Sequence, residues 1–340
     1  MENNKISIYG LSGSGKSCYI YAMTQAMRKG IKFDNGNVMT VVNSNIAQVN
    51  FLNSRFSLMT KGVWPPGTSE TTEYTYGCRI SFKAISNVII RDYRGGIFTS
   101  SDKDDQDEVE ELYKSFKDSA SIAFFIGVDK IMQAMNYDVD AYNDIILIQT
   151  LYEHFMEVYP NEKPPVIFVL TKSDMATPQQ LEKCKEYIKE EFLSFFGTGT
   201  KLIVGLTAVT LGDNLSCGED NQLLGRLRIG PAEGNIQMPI LFTLYGVFSR
   251  LIMEELANSD EYANYLRQNN IDLDKEKKRG FWDRLFFGKE KEVRASILSN
   301  QAKIDSSKQN LMYLNDTIEL IKSKFKEGIE IYNDGQLLVF

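Results

Sequence analysis

Short apolar runs alternate with longer segments of helical periodicity along the first two-thirds of the chain. The runs are dominated by apolar residues, a pattern typical of strands that are buried on both faces of a sheet. They are KISIY at 5–9, NVIIRD at 87–92, SIAFFIGVD at 121–129, PPVIFVLTKSD at 164–174 and KLIVGLTA at 201–208. A stretch rich in Thr, Tyr and Ile predicts a further strand at 74–82.

Helical patterns fill the intervals between several of these strands. Amphipathic helices are predicted at 17–29, where Gly30 ends the pattern, and at 137–159 and 178–196. Strands that alternate with helices predict a parallel sheet with helices on both of its faces. The sequence therefore predicts an α/β fold with a doubly wound, mainly parallel sheet.

Two segments depart from this rhythm. Residues 31–72 predict an inserted strand and helix, followed by a loop with the sequence WPPGT. The acidic run at 101–111 is interpreted as a solvated loop and the start of a helix, where negative charge is favourable.

The composition changes after residue 258, which predicts three parts: a domain at 1–258, a charged linker at 259–291 and a C-terminal part at 292–340. A helical heptad pattern begins the third part, and a short strand is predicted in its last residues, GQLLVF. The apolar residues of the heptads are Ile297, Ile304, Leu311, Leu314, Ile318, Ile321 and Phe325. Such heptads suit either a coiled coil or a helix docked on its own domain, and the sequence leaves both open.

Aromatic and basic residues are interleaved within the linker, at 277–292. This segment could be pinned to the main domain, could lie in a partner's groove, or could make peripheral contact with a membrane. Acidic residues nearly balance the basic ones, which disfavours the membrane.

Composition excludes several classes of protein. The net charge of −7 is not that of a general nucleic-acid binder, and we expect no nucleic-acid partner. Four cysteines without a CxxC pair, and a single histidine, His154, argue against zinc. The apolar stretch at 238–253 contains Arg250 and is shorter than the ~20 residues of a membrane span, so it predicts a helix packed on the sheet. No secretory signal pattern precedes the first strand, and we expect a cytoplasmic protein.

GLSGSGKS, at 10–17, is a complete GxxxxGK[ST] motif between a predicted strand and a predicted helix. The glycines let backbone N–H groups approach phosphate oxygens at the start of the helix. In this pattern Lys16 contacts the β- and γ-phosphates and the Ser17 hydroxyl binds Mg²⁺. Cys18, in the first helical turn, stands where a thiol pKa can fall, yet we expect no redox role.

Three further motifs follow predicted strands. In DYRG, Asp92 can hold Mg²⁺ and Gly95 can offer its N–H to a γ-phosphate.

In TKSD, Asp174 can accept the two donors of a guanine edge, and the stem of Lys172 can pack along the base. A simple helix cap is the competing interpretation of this motif. In TAV, small residues and backbone N–H groups can face the guanine carbonyl. The nucleotide-binding residues predicted by these motifs are Gly10, Ser12, Gly13, Ser14, Gly15, Lys16, Ser17, Cys18, Thr171, Lys172, Asp174, Thr207, Ala208 and Val209.

In order, GLSGSGKS, WPPGT, DYRGG, TKSD and TAV resemble the five G motifs of P-loop GTPases of the translation-factor-related and Ras-like (TRAFAC) class. The resemblance covers about residues 5–258, and the insertion with WPPGT is similar to the bacterial double-GTPase type of domain. TKSD has Thr where the family has Asn, and TAV lacks the family's lysine. The resemblance implies GTP or GDP with Mg²⁺ as ligands. The resemblance also makes Thr68 the first candidate for the switch I threonine, with Thr71 and Thr72 as alternative candidates.

The resemblance also implies a slow reaction. The family often carries a water-orienting Gln or His just after DxxG, where this chain has Gly96. Arg94 could act on the developing phosphate charge, or a partner chain could supply a residue in trans. Arg94 could also be an ordinary surface arginine. The predicted catalytic residues are Lys16, Thr68, Arg94 and Gly95, and the predicted metal ligands are Ser17, Thr68 and Asp92.

Two functions remain open at this point. The first is a guanine-nucleotide switch with slow GTP hydrolysis, whose C-terminal helix signals to a partner protein or to a second copy. By resemblance it could belong to a bacterial conflict or defence system. The second is a scaffold that binds nucleotide for stability and hardly turns it over. TKSD disfavours a third possibility, an ATPase or kinase.

Overall fold

The computed structural model describes residues 3–68, 70–94, 103–161, 163–257, 305–326 and 328–340. Within these ranges, ten strands form one sheet and two form a separate hairpin. The strands are β1 Asn3–Tyr9, β2 Ile31–Lys32, β3 Val38–Asn43, β4 Thr72–Ile80, β5 Lys83–Asp92, β6 Ser119–Gly127, β7 Val166–Thr171, β8 Ile203–Ala208, β9 Gly212–Cys217, β10 Leu223–Leu227, β11 Ile329–Asn333 and β12 Gln336–Leu337. The helices are α1 Lys16–Lys29, α2 Ile46–Thr60, α3 Lys103–Lys117, α4 Val128–Met135, α5 Val139–Val158, α6 Pro178–Glu191, α7 Leu193–Phe196, α8 Met238–Ala257 and α9 Asp305–Phe325.

The large sheet runs in the order β12-β11-β8-β7-β6-β1-β5-β4-β3-β2. Its centre, from β5 to β8, is parallel, and the strands beyond it on both sides are antiparallel. The order reverses at β1, which has β5 on one side and β6 on the other. A crevice forms where the order of a parallel sheet reverses, so the carboxyl end of β1 is the expected place for a ligand.

The two faces of the sheet carry two hydrophobic clusters because successive side chains of a strand point in opposite directions. In β7, Ile167 and Val169 join one cluster, while Val166, Phe168 and Leu170 join the other. Helices α1, α2, α8 and α9 cover the first face, and α3 to α7 cover the second. The predicted α/β, doubly wound sheet is confirmed, and with the GxxxxGK[ST] loop between β1 and α1 it has the P-loop NTPase fold.

The predicted strand at 121–129 ends earlier than its apolar pattern suggests. Strand β6 stops at Gly127, and Val128 begins α4. The predicted helix at 178–196 is broken at Phe192, which separates α6 from the short α7. The apolar segment at 238–253 is the start of α8, which contacts β6, β7 and β8 as expected. No helix among the described residues is long and apolar enough to cross a membrane.

The described end of the chain joins the same sheet and core. Helix α9 packs on α8, and the Phe325 and Tyr245 rings lie 5.4 Å apart in an edge-to-face arrangement. Strand β11, which the sequence did not predict, pairs antiparallel with β8, and the predicted terminal strand is β12. Of the two interpretations of the heptads, the structure has the docked helix over 305–325. Residues 258–304 lie outside the described residues, and with them the linker at 259–291, the aromatic and basic segment at 277–292, Ile297 and Ile304.

The docking of α9 predicts a specific cost for Ile321→Ala. Ile321 is fully buried against the main domain, so the free energy of unfolding should fall by about 2–5 kcal/mol. Urea unfolding measures this loss, which should not depend on protein concentration. The matched variant Met312→Ala, on the exposed side of α9, should change stability by less than about 0.5 kcal/mol. A loss for Ile321→Ala that disappears at high protein concentration would indicate pairing between chains instead.

Candidate functional site

The phosphate loop joins β1 to α1 at the carboxyl edge of the sheet. Gly13 and Gly15 adopt positive φ angles of 76° and 84°, which side chains other than glycine rarely accept. Gly10 must also be glycine, since a Cβ there would overlap the carbonyl oxygen of Phe125. Gly15 is the N-cap of α1, so the unpaired N–H groups of the first helical turn lie directly behind the loop.

Lys16 is buried beside this loop, and its ammonium group donates to the carbonyls of Gly10 and Leu11. Burial lowers the pKa of Lys16, and the nearby Asp92 carboxylate partly opposes that shift. A buried ammonium held only by backbone carbonyls is poorly compensated, because these carbonyls carry no full negative charge. The site therefore favours an anion close to Lys16.

Three predicted metal ligands meet at the foot of the loop. The Ser17 hydroxyl lies 3.2 Å from Thr68 Oγ1 and donates to Asp92 Oδ2 at 3.0 Å. Thr68 reaches this point from the loop that precedes β4, and Asp92 is the last residue of β5. Asp92 is fully buried, and its second oxygen, Oδ1, has no hydrogen-bond partner. An orphaned buried carboxylate oxygen beside two hydroxyls is a donor set that suits a hard cation such as Mg²⁺.

Burial raises the pKa of Asp92 to about 6, although Lys16 and the Ser17 hydroxyl pull it down. Among the described residues, no group of three or more His, Cys, Asp or Glu side chains could hold a metal. The cluster thus lacks the ligands of a zinc or iron site. It offers one carboxylate and two hydroxyls, the incomplete set that Mg²⁺ completes with water and substrate phosphates.

The loop after β7 is tied to the phosphate loop. Thr171 Oγ1 donates to the Ser14 carbonyl at 2.6 Å and lies 3.3 Å from the Ile126 carbonyl. Lys172 has a positive φ of 55°, and its ammonium group forms an ion pair with Asp129 at 2.6 Å. Asp129 belongs to α4, so its ion pair with Lys172 joins the loop after β7 to the helix that follows β6. The side chains of Lys172 and Asp129 both line the cavity described below.

Asp174 already has two hydrogen-bond donors from this chain. The Thr210 hydroxyl donates to Oδ1 at 3.0 Å, and the Leu215 N–H donates to Oδ2 at 2.6 Å. A carboxylate accepts about four hydrogen bonds, so Asp174 keeps free lone pairs on both oxygens.

The residues of TAV have different positions. Val209 lines the cavity, and its N–H donates to the Leu170 carbonyl at 2.7 Å. Thr207 is buried and donates instead to the Gly328 carbonyl at 2.6 Å, and Ala208 is buried without lining the cavity. The structure thus brings only Val209 of the three to the site.

Other predicted residues differ in how closely they approach the cavity. Cys18 lines it, but burial raises the pKa of its thiol to about 12, so no thiolate forms near neutral pH. Arg94 is half-buried and is not part of the lining. Gly95 and Gly96 lie outside the described residues. His154 is exposed on α5 and contacts Glu157, which fits its interpretation as an ordinary surface residue.

All these loops surround one cavity of about 550 Å³. Its lining from the phosphate loop and α1 is Ser12, Gly13, Ser14, Gly15, Lys16, Ser17, Cys18, Tyr19 and Tyr21. Sequence reasoning missed several of its other lining residues: Trp64, Asp129, Met175, Leu211, Leu215, Ser216 and Cys217. Asp129 had a usable signal, since it is a charged residue directly after a buried strand. The residues at 211–217 had none, because β9 carries no clear alternation of apolar and polar residues.

The arrangement defines a class of site. One end of the cavity offers helix N–H groups, a buried lysine and a hard-cation cluster, which together suit a polyphosphate. The other end offers Lys172, Asp174 and apolar side chains, which suit a base with hydrogen-bond donors on its edge. The fold is that of a P-loop NTPase with the arrangement of a G domain, and the cavity offers the groups that a nucleotide requires.

Comparisons with known proteins add little to this geometry. No family model matches the sequence, and no curated protein matches it. Elongation factor SelB of Methanococcus maripaludis, solved with the GTP analogue GPPNHP, aligns at 11% identity and a TM-score of 0.33, over 62% of this chain and 30% of that one. A bacterial selenocysteine-specific elongation factor, EF-Sec, aligns at 11% and 0.32, over 62% of this chain and 26% of that one. The GTPase SAR1 of Encephalitozoon cuniculi, solved with GDP, aligns at 13% and 0.27, over 69% and 72%.

This chain spans about a third or less of the two elongation factors that it matches. TM-scores of this size are too low to carry an argument about function. The assignment of a ligand therefore depends on the geometry of the site itself.

The raised pKa of Asp92 predicts that Asp92→Asn stabilises the protein without nucleotide or Mg²⁺. A carboxyl whose pKa is higher in the folded state than its ordinary value of 3.8 costs stability once the pH exceeds both values. Asn cannot ionise, so at pH 7.5 it should raise the free energy of unfolding by up to about 3 kcal/mol. The gain should shrink as the pH falls from 6 to 4.

Urea unfolding between pH 4 and 8 measures the difference between the two proteins. Asp118→Asn, which changes an exposed aspartate, is the matched control and should shift stability little. A wild-type protein that is more stable than Asp92→Asn at pH 7.5 would show that Lys16 more than compensates the buried charge.

Proposed function

We propose that this protein is a guanine-nucleotide-binding switch that binds GTP or GDP with Mg²⁺ and hydrolyses GTP. One observation carries the proposal: the phosphate loop and the TKSD loop face the same cavity and are joined by the bond from Thr171 to Ser14. That bond fixes the distance between phosphate recognition and base recognition. Asp174 supplies free acceptors for the two donors of the guanine edge, and adenine lacks that pair of donors.

Ser17 and Thr68 would hold the proposed Mg²⁺, with Asp92 in contact through a water. When bound, the ion would neutralise negative charge that develops on the phosphate groups. Lys16 gains a phosphate oxygen in place of the backbone carbonyls of Gly10 and Leu11. Because the ion binds the ionised carboxylate, its affinity should weaken as the pH falls through about 6, the pKa of Asp92.

In the proposed switch, the two segments that carry Thr68 and Asp92 would change conformation. Thr68 precedes β4 and Asp92 ends β5, and both loops can respond to the γ-phosphate. Gly95 would donate its N–H to that phosphate, and Arg94 could act on its developing charge. Hydrolysis should be slow without a partner, because Gly96 replaces the water-orienting Gln or His that the family often has.

The finer assignment follows from the motifs. The series from GLSGSGKS to TAV supports the TRAFAC class of P-loop GTPases, and the WPPGT insertion supports the double-GTPase type. A role in a bacterial conflict or defence system rests on that resemblance alone. We also propose a cytoplasmic location, as the sequence analysis predicts.

Residues 292–340 would pass the nucleotide state to a partner protein or to a second copy of this chain. The apolar residues Ile318, Ile321 and Phe325 of α9 are buried against this chain's own domain, so they could pair with another chain only after undocking. Strand β11, which follows α9, is paired with β8 next to the base-binding loops. Partner signalling would therefore use the exposed face of α9 or the residues before it. The same burial counts against the alternative function, a nucleotide-stabilised scaffold that assembles through this helix.

Selectivity for the base is the direct test of the proposed function. Calorimetric titration in Mg²⁺ should show GTP and GDP binding at least about tenfold more tightly than ATP, because an unmatched edge leaves Asp174 with unpaired acceptors. Asp174→Ala should remove most of this preference while the protein still binds triphosphate. Lys183→Ala, which removes an exposed charge on α6, is the control. Equal affinity for ATP and GTP, or a preference that survives Asp174→Ala, would contradict the proposal.

Turnover separates the switch from the scaffold. Phosphate release from GTP should be measurable above background in the full chain, and Lys16→Ala should abolish it by removing the charge beside the phosphates. Release at the background rate, with self-association lost when residues 292–340 are deleted, would favour the scaffold.

A further inference from the structure

Between the TAV segment and α8 lies a hairpin that the motif series does not include. We call residues 210–227 the β9–β10 hairpin; its strands pair antiparallel and are separate from the main sheet. An isolated two-stranded hairpin is marginally stable in water. The position of this hairpin therefore depends on the contacts that it makes with the rest of the protein.

One end of the hairpin is anchored on the base-recognition loop. The Thr210 hydroxyl and the Leu215 N–H donate to the two oxygens of Asp174. Both are hydrogen bonds to a carboxylate, which are about twice as strong as neutral ones. Thr210 Oγ1 also accepts from the Gly212 N–H at 3.0 Å and lies 2.7 Å from the Gly212 carbonyl, so its hydroxyl proton is shared between Asp174 and the first residue of β9. Thr210 lies behind Asp174 and is not part of the cavity lining.

The other end holds the segment that precedes Thr68. The Leu223 N–H donates to the Gly62 carbonyl at 2.7 Å, and the Trp64 N–H donates to the Asn221 carbonyl at 2.8 Å. The Trp64 indole N–H donates to the Ser216 carbonyl at 2.9 Å. Residues 62–64 thus lie along the hairpin almost as an added strand, with a β-bridge between Val63 and Gln222.

Only three residues lie between Trp64, which is held by the hairpin, and Thr68, which belongs to the proposed metal site. Trp64 is followed by Pro65 and Pro66, whose rings fix φ and restrict the residue before each of them. Thr68 comes two residues later, with its hydroxyl 3.2 Å from that of Ser17. Three residues separate Trp64 from Thr68, and only Gly67 among them lacks a proline ring, so most of a shift of the hairpin is passed on to Thr68.

We propose that the β9–β10 hairpin transmits occupation of the base site to Thr68, so that guanine contact at Asp174 helps to set the metal-facing threonine in place. This inference rests on the proposed guanine site. A guanine edge fills the remaining lone pairs of Asp174 and fixes the plane of its carboxylate. The fixed carboxylate holds Thr210 and Leu215, and the hairpin holds Trp64. A base without the two donors leaves those lone pairs unfilled, so the carboxylate is held only by Thr210 and Leu215 and the hairpin is less tightly fixed.

Trp64 provides the readout. The chain has two tryptophans, and Trp282→Phe leaves Trp64 as the only one. The experiment uses this full-length variant in EDTA, so that neither Mg²⁺ nor a γ-phosphate acts on Thr68. Saturating GDP should shift the Trp64 emission, and calorimetry on the same samples measures GDP binding independently. ADP at the same concentration should leave the emission unchanged.

Thr210→Val tests whether the signal passes through the hairpin. It removes the hydroxyl behind Asp174 and should weaken GDP binding on the order of tenfold. At saturating GDP it should abolish the emission shift, and Thr210→Ser, which keeps the hydroxyl, should restore it. Thr150→Val, which removes a hydroxyl from the exposed face of α5, should leave the shift intact.

The outcomes are distinct. GDP binding with an unchanged Trp64 emission would overturn the coupling and leave the guanine site standing. A shift that persists in Thr210→Val at saturation would also overturn it, because Trp64 would then be sensing the ligand directly. No GDP binding by calorimetry, in EDTA and also with Mg²⁺, would overturn the proposed function and the coupling with it. GDP binding that appears only with Mg²⁺ would overturn the coupling alone, because base contact would not then act independently of the metal. Thermal unfolding of each variant verifies that Thr210→Val is folded.

Discussion

The hydrogen bond from Thr171 Oγ1 to the Ser14 carbonyl is the contact on which the organisation of the site depends. It joins the loop after β7 to the loop after β1, which are separated by β6 in the sheet. Gly10 lies so close to Phe125 that the phosphate loop is also fixed against β6. With both loops tied in this way, the distance from the phosphate end to the base end of the cavity is set by the sheet. A ligand that reaches both ends of the cavity must match that distance.

Charge burial is the second constraint. Lys16 and Asp92 are both buried, and each is incompletely compensated within the chain. Burial lowers the pKa of Lys16 and raises the pKa of Asp92, so it favours the neutral form of both groups. The arrangement costs folding free energy that a polyphosphate and a divalent cation would recover on binding. A site that is strained in this way binds its ligand and also stabilises the fold when the ligand is present.

The base end is built differently, from contacts that reach far along the chain. Asp174 is held by Thr210 and Leu215, and the hairpin that contains Leu215 also holds Trp64. The same side of the sheet ends in β11 and β12, which are contributed by residues 329–337. The residues proposed for base recognition and the C-terminal elements are therefore packed around one strand, β8, and the loop that follows it. A ligand-induced change at the proposed base site would thus lie close to the C-terminal elements.

The sequence by itself determined the α/β class, the parallel strands and the phosphate loop, because apolar runs and glycine spacing are local signals. It also placed Ser17, Asp92 and Asp174 at one edge, since residues that follow parallel strands meet there. The tertiary structure alone decided that α9 docks on α8, that β11 joins β8, that Thr207 turns away to Gly328, and that Asp129 pairs with Lys172. It also decided that the β9–β10 hairpin connects Asp174 with Trp64. These features depend on pairing between residues that are distant in sequence, and no local pattern of hydrophobic and polar positions encodes which distant partner will be met.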